Sequence, residues 1–184
     1  MKIALFSQEF NEDVKFIFDK IINNKFSDNF SFFLHKDLNI KSFEFSNKSY
    51  FKYSKENELK DKVDLLISVG GDGTFLRSIE YVKNNNIPIL GINTGRLGFL
   101  ASTKKENIEK SIEKIFKKKF KIEERSLIKV SLENDKQLDS QFPYALNEIS
   151  VVRKDTTSMV NINTSLNGIH LNSYWSDGLI VSTP

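Results

Sequence analysis

The chain has 184 residues, which at roughly 150 residues per domain accommodates one domain or two small ones and excludes a long multidomain array. Its 39% hydrophobic and 28% charged residues are typical of a folded globular protein, and a net charge of +3 is too small to indicate nucleic-acid binding. The absence of cysteine excludes disulfides, thiolate-bound metals and thiol nucleophiles.

The N-terminal segment does not have the pattern of a targeting sequence. Its apolar run covers only residues 3–6, whereas a signal-peptide core has roughly 7–15 apolar residues. No stretch reaches the ~20 apolar residues of a membrane-spanning helix. The sequence therefore predicts a soluble cytoplasmic protein that does not act at a membrane.

The first part of the chain begins with strand and helix patterns. Residues 3–6 predict a strand, and apolar residues spaced by three and four between Val14 and Ile22 predict an amphipathic helix. Residues 31–35 predict a second strand. Residues 36–60 mix aromatic and charged side chains without a clear period, so this segment receives only a partial assignment.

The pattern becomes sharper from residue 63. Residues 63–69 and 87–93 are apolar enough to be parallel strands buried on both faces. Each is followed by glycines and then by apolar residues at helical spacing, over 75–82 and 108–116. This alternation predicts an α/β fold, with a Rossmann-like doubly wound domain over residues 1–120.

Beyond residue 120 the pattern changes to short β-rich runs separated by polar breaks. The runs cover residues 121–132, 144–152, 159–166 and 169–174. Asn167-Gly168 separates the last two, and Asn-Gly between two such runs is a strong hairpin signal. Residues 121–184 are therefore predicted to form a second, all-β domain, which at this length is incomplete.

The run Gly70-Gly71-Asp72-Gly73-Thr74 ends a predicted buried strand. Glycines allow a ligand to approach the backbone, and exposed N–H groups at the start of a helix form an anion site suited to phosphate. A carboxylate among such amides suits a base that takes a proton from a hydroxyl nucleophile. The structural alternative is a tight turn in which Asp72 caps the helix.

A second glycine loop, Asn93-Thr94-Gly95-Arg96-Leu97-Gly98-Phe99, follows the next predicted strand. Ligands of open α/β sheets bind outside the carboxyl ends of the strands, so two adjacent strand ends with glycine loops predict one crevice. Phe99 could cover a base there or fill the core. Taken alone, its apolar ring favours the core.

Four motifs together resemble those of bacterial NAD kinases: the run 70–74, the loop 93–99, Asn147-Glu148, and the segment 176–184. They occur in the family's order and approximate spacing, and the resemblance covers the chain from about residue 60 onward. The glycine run alone also resembles diacylglycerol and sphingosine kinases. The Arg-Leu-Gly-Phe loop and the Asn-Glu pair favour the NAD kinases.

The resemblance implies that Asp72 is the base that activates the adenosine ribose 2′-hydroxyl of NAD for attack on the γ-phosphate of ATP. A divalent cation, Mg²⁺ carried with ATP, is implied as well. Gly73 would contact the dinucleotide through its backbone, Arg77 would reach its phosphates, and Phe99 would belong to the same site. For Arg77, a solvated helix position is the structural alternative.

The resemblance also assigns dinucleotide contacts to Asn147, Glu148 and Asp177. An amide both donates and accepts, which suits an adenine edge, whereas a carboxylate accepts, which suits ribose hydroxyls. Neighbouring residues of a strand point to opposite faces, so Asn147 and Glu148 can address one ligand only where the strand bends or ends. For Asp177-Gly178, a simple turn is the alternative.

The resemblance further implies that a segment lining the NAD site follows Pro184 in the family, so the chain corresponds to the first two thirds of a kinase. It also implies a homo-oligomer. Two other functions stay open at this point: a dinucleotide-binding fragment without catalytic activity, and a lipid kinase with the same glycine run. The absence of an apolar or basic membrane-facing pattern argues against the lipid kinase.

Overall fold

The computed structural model describes residues 1–38, 50–83, 85–95, 98–133, 142–155 and 157–183, and the chain divides into two compact units, Met1–Ile122 and Glu123–Pro184. The first unit contains a six-stranded sheet, and the second contains two-stranded ladders. The predicted fold class, an α/β unit followed by an all-β region, is confirmed. A domain boundary after residue 120 stays a prediction.

The six strands of the first unit are all parallel to their neighbours. They are β1 (Lys2–Phe6), β2 (Ser31–His35), β3 (Tyr50–Tyr53), β4 (Leu65–Val69), β5 (Ile89–Asn93) and β6 (Thr103–Lys104), in the spatial order β3-β2-β1-β4-β5-β6. All carboxyl ends therefore lie at one edge of the sheet. Strand β3 lies in the segment that the sequence pattern left partly unassigned, of which 39–49 lie outside the described residues.

Three helices cover the two faces of this sheet: α1 (Glu12–Ile22), α2 (Asp72–Val82) and α3 (Ile108–Phe116). Side chains alternate between the faces of a strand. Accordingly, Ile3 and Leu5 belong to one apolar cluster with α1 and α3, whereas Ala4 and Phe6 belong to a second cluster with Val82 of α2. The predicted doubly wound arrangement is confirmed.

The second unit consists of three antiparallel strand pairs among the described residues. Its strands are β7 (Ile128–Lys129), β8 (Tyr144–Ala145), β9 (Glu148–Val152), β10 (Val160–Leu166), β11 (Ile169–Ser176) and β12 (Gly178–Ser182), paired as β7 with β8, β9 with β12 and β10 with β11. Asn167 and Gly168 have φ values of 53° and 80°, as the predicted tight hairpin turn requires.

The predicted β-run over 121–132 is mostly wrong. Only Ile128–Lys129 is a strand there, because β8 offers it just two paired residues. Charged side chains at Lys121, Glu123 and Glu124 also interrupt any continuous apolar face before it. A strand without a longer partner leaves its N–H and C=O groups to solvent and gains little by extending.

His35, at the end of β2, is buried among aromatic rings. Its ring centroid lies 5.5 Å from that of Phe6, 5.3 Å from that of Tyr53 and 5.0 Å from that of Tyr81. Within the described residues its Nε2 has no hydrogen-bond partner. Burial lowers the pKa of His35 below 6.5 and outweighs the opposing effect of the Asp37 carboxylate.

We expect the stability of the fold to decrease as the pH falls below about 6.5, because the unfolded imidazole binds a proton in a range where the folded one does not. In His35→Phe this part of the slope should disappear. Urea unfolding at about pH 5 and about pH 7.5 measures it. His170→Phe, at an exposed position on β11, should retain the wild-type slope. An identical slope in His35→Phe would contradict the assignment.

Candidate functional site

The glycine run forms a sharp turn from β4 into α2. Gly70 has a φ of +152°, and a Cβ there would overlap the side chain of Thr74, so a side chain is excluded. The N–H of Gly70 donates to the carbonyl of Ile92 (3.0 Å), which holds the turn beside β5. Because the carbonyl of Gly71 accepts from the N–H of Phe75 (3.1 Å), the helix begins at Asp72 and not after Thr74 as the sequence pattern predicts.

The carboxylate of Asp72 is held by three backbone N–H groups of the second glycine loop. Oδ2 accepts from the N–H of Phe99 (2.8 Å), and Oδ1 accepts from those of Leu100 (3.1 Å) and Ala101 (2.9 Å). No side chain caps α2, whose N-cap residue is Gly71. The alternative in which Asp72 is a helix cap is therefore wrong.

These hydrogen bonds favour the charged form of Asp72. The bond from Ala101 contributes most, followed by those from Phe99 and Leu100, and together they lower the pKa of Asp72 below its ordinary value of 3.8 despite partial desolvation. The side chain is thus a carboxylate at neutral pH. Two oxygens accept about four hydrogen bonds, so one acceptor position, on Oδ2, is left for a ligand.

Two glycines permit this close approach. A Cβ at Gly98 would overlap the carboxylate of Asp72, and a Cβ at Gly91 would lie 2.7 Å from the Cα of Ala101 and 2.9 Å from the ring of Phe75. Both are therefore required by the protein's own packing. The sequence pattern pointed to ligand approach at these glycines and did not predict the contact between the loop and Asp72.

Gly71 and Gly73 have a different environment. A Cβ at either position would meet no atom within 4 Å among the described residues, so internal packing does not require a glycine there. The first N–H groups of a helix have no partner within it. The start of α2 therefore presents open space and backbone donors together, an arrangement that favours an anion.

Phe99 and Arg77 both lie on the surface of the first unit. The side chain of Phe99 is 95% exposed, so the interpretation of this residue as core is wrong. Arg77 follows Asp72 by five residues, which in an α-helix places it about 140° around the axis. The structure therefore does not bring Arg77 to the face of α2 that carries Asp72. Arg96 and Leu97, which belong to the glycine loop that contains Phe99, lie outside the described residues.

In the second unit, Asn147 and Glu148 lie where the chain bends between β8 and β9, and both are exposed. The carbonyl of Asn147 accepts from the N–H of Thr183 (3.1 Å), which joins this bend to the end of β12. Neighbouring side chains can point to the same side where a strand bends or ends, and Asn147 and Glu148 lie at such a bend.

Asp177 lies at the exposed bend between β11 and β12, where its Oδ1 is 2.9 Å from Nη1 of Arg153. Gly178 pairs with Val152 and Ser182 with Glu148, so Asp177 and Glu148 lie at opposite ends of the β9–β12 ladder, five residue steps or about 17 Å apart along the strand. The structure does not bring these two carboxylates together.

Elsewhere on the described part of the chain, we searched for pockets, metal sites and membrane-spanning helices. An open polar depression lies at the amino-terminal edge of the parallel sheet, lined by residues that include Lys2, Asp64 and Asn85, and none of the predicted site residues line it. No group of three or more His, Asp or Glu side chains in the described ranges could hold a metal ion. None of the described helices is long and apolar enough to cross a membrane.

Sequence comparisons match most of the chain to one family. Residues 8–120 match the family model described as the ATP-NAD kinase N-terminal domain. The NAD kinase of Flavobacterium psychrophilum is 52% identical over 136 residues, which are 74% of this chain and 46% of the relative. The NAD kinase of Christiangramia forsetii is 41% identical over 100% of this chain and 63% of the relative. The chain therefore spans about half to two thirds of the length of these curated relatives.

Two solved structures resemble this one. An NAD kinase from Archaeoglobus fulgidus in complex with ATP has a TM-score of 0.68 and 29% identity, over 99% of this chain and 60% of that one. Yeast NADH kinase complexed with NADH has a TM-score of 0.77 and 19% identity, over 97% of this chain and 56% of that one. At this identity the yeast enzyme shows the fold alone.

Proposed function

The chain belongs to the NAD kinase family, and on that premise we propose that it phosphorylates the adenosine ribose 2′-hydroxyl of NAD with ATP to give NADP and ADP. The observation that carries this proposal is the carboxylate of Asp72, fixed by three backbone amides at the end of β4 with one acceptor position left. Relatives named as NAD kinases and the solved complexes with ATP and with NADH support the choice of substrates.

In the proposed reaction, Oδ2 of Asp72 accepts a hydrogen bond from the 2′-hydroxyl and orients its oxygen toward the γ-phosphorus of ATP. A bond forms between these two atoms, the bond from phosphorus to the β–γ bridging oxygen breaks, and the proton passes to Asp72 as ADP leaves. Because the pKa of Asp72 is lowered, the carboxylate is a weak base that takes the proton only late, as the new bond forms.

Charge neutralisation of the phosphates comes from several groups in this proposal. The free N–H groups at the start of α2, including that of Gly73, face the phosphates, and Arg77 provides a positive charge farther along the helix. Mg²⁺ bound with ATP would neutralise the transferred phosphoryl group, as phosphoryl transfer generally requires. The three hydrogen bonds from backbone N–H groups disperse the charge of Asp72 and so reduce its repulsion of the phosphates.

The remaining site residues are proposed to recognise the dinucleotide. The exposed ring of Phe99 offers a face on which a base can stack, and its own N–H is fixed by Asp72. Asn147 and Glu148 at one bend, and Asp177 at another, offer donors and acceptors to adenine and ribose.

We also propose that the protein forms a homo-oligomer. The second unit exposes several large apolar side chains, which support this proposal: Leu166, Ile169, Leu171 and Trp175. Sedimentation velocity at increasing concentration tests this proposal. A single species of 21 kDa at every concentration would overturn it.

Incubation of the chain with NAD, ATP and Mg²⁺ tests the activity directly, with NADP measured by an NADP-specific dehydrogenase. We expect NADP to accumulate in step with ADP and to be lost when EDTA removes the cation. NAD binding measured by calorimetry, without NADP formation, would replace the proposal with a dinucleotide-binding role. Phosphorylation of diacylglycerol in vesicles, with no effect of NAD, would favour a lipid kinase.

A further inference from the structure

Asp177, a side chain of the proposed dinucleotide site, forms an ion pair with Arg153. Nη1 of Arg153 lies 2.9 Å from Oδ1 of Asp177, and the Arg153 side chain is 31% exposed against 71% for Asp177. The Arg153 side chain is thus less exposed than the Asp177 side chain with which it pairs. Among the described residues, none donates a hydrogen bond to Oδ2 of Asp177. This oxygen can therefore accept one from a ligand.

This ion pair is not what holds the strand ends together. The N–H of Arg153 donates to the carbonyl of Asp177 (2.9 Å), so the backbone already closes the ladder at this end. Gly178 completes the tight bend, because a Cβ there would lie 2.6 Å from the carbonyl oxygen of Val151. Exposed ion pairs contribute little to stability. The principal effect of the guanidinium is therefore on the orientation of the Asp177 carboxylate.

We propose that Arg153 is a positioning residue that orients the carboxylate of Asp177 for one hydrogen bond with a hydroxyl or amino group of the dinucleotide. The proposal rests on the proposed function, specifically on the contact between Asp177 and the dinucleotide. Without Arg153 the Asp177 side chain rotates freely in water, and each binding event must order it again. Arg153 thus affects the affinity for the dinucleotide and not the transfer of phosphate.

The test measures steady-state kinetics and calorimetric NAD binding for Arg153→Ala, Arg153→Lys and Asp177→Ala. We expect Arg153→Ala to raise the KM and Kd for NAD by about 10-fold, with kcat and the KM for ATP changed less than about 2-fold. Arg153→Lys should recover part of the loss, because lysine restores the charge without the planar geometry. Arg125→Ala is the matched control, since it removes an exposed arginine that pairs with Glu123 in the same unit.

The double variant Arg153→Ala with Asp177→Ala identifies the route of the effect. If Arg153 acts through Asp177, the double variant binds NAD no more weakly than Asp177→Ala alone. If Asp177→Ala weakens NAD binding and Arg153→Ala does not, the positioning role is overturned while the proposed function stands. If Asp177→Ala leaves NAD binding unchanged, the proposed contact itself is wrong. If Arg153→Ala lowers both the unfolding temperature and the affinity for NAD, and Arg153→Lys restores neither, Arg153 has only a structural role.

Discussion

Replacement of Asp72 by asparagine is expected to reduce the rate of NADP formation by about 10²–10⁴-fold, the usual contribution of a positioned base. The amide oxygen can still accept from the N–H groups of Leu100 and Ala101, whereas the amide NH2 group cannot accept from that of Phe99. The side chain has also lost the negative charge and cannot take the proton of the 2′-hydroxyl. The affinity for NAD should change little, because most of the proposed dinucleotide contacts are made by other residues. Steady-state kinetics with calorimetric NAD binding separates the two effects.

Asp64→Asn provides a matched control for this experiment. Asp64 also accepts a backbone hydrogen bond, from the N–H of Lys2 at 2.7 Å, but it lies at the opposite, amino-terminal edge of the same sheet. We expect Asp64→Asn to retain wild-type turnover. Near-normal turnover in Asp72→Asn would rule out Asp72 as the base, whereas equal losses in both variants would point to a general effect on the fold.

The second large effect is expected for Gly98→Ala, which adds a single methyl group. Its Cβ would overlap the carboxylate of Asp72, so either the loop or the carboxylate must move and the three N–H bonds cannot all persist. A displacement of about 1 Å in a catalytic group can reduce the rate by about 10²-fold. We therefore expect a loss of turnover of that order.

Gly95→Ala is the corresponding control, because a Cβ there would meet no atom within 4 Å in the described part of the chain. Gly95→Ala adds the same methyl group to the same loop, and it should leave turnover within about 2-fold of wild type. Circular dichroism should show the same helix content in both variants. If Gly98→Ala and Gly95→Ala have equal turnover, the tight contact at Gly98 does not control the position of Asp72.

Four strands and the three helices of the first unit could be predicted because each depends on a local pattern, whereas β3 and the two-residue β6 show none. The buried strands at β4 and β5 are continuous apolar runs, and α1 and α3 show helical spacing. The contacts of Asp72 could not be predicted in this way. Its partners are backbone N–H groups 27 to 29 residues farther along the chain, and no side-chain type identifies them.

Related causes explain why the core interpretation of Phe99 is wrong and why the positions of Arg77 and Arg153 could not be predicted. Phe99 is apolar, but its exposure depends on the path of a loop whose N–H group is bonded to Asp72, and not on the identity of its side chain. The relation of Arg77 to Asp72 depends on the helix starting at Asp72, which follows from a backbone bond between Gly71 and Phe75. The ion pair of Arg153 needs the β9–β12 register, which is set by tertiary pairing.

The strand order of the first unit has a consequence for the way the chain is synthesised. Strand β1 is translated first, yet Ile3 pairs with Leu65, and the pairing must wait for 62 further residues. Until about a third of the chain exists, this mostly buried strand lacks a neighbour on that side. The ribosome adds the glycine run directly after β4, so the chain gains Asp72 at the same stage at which its central strand becomes fully paired.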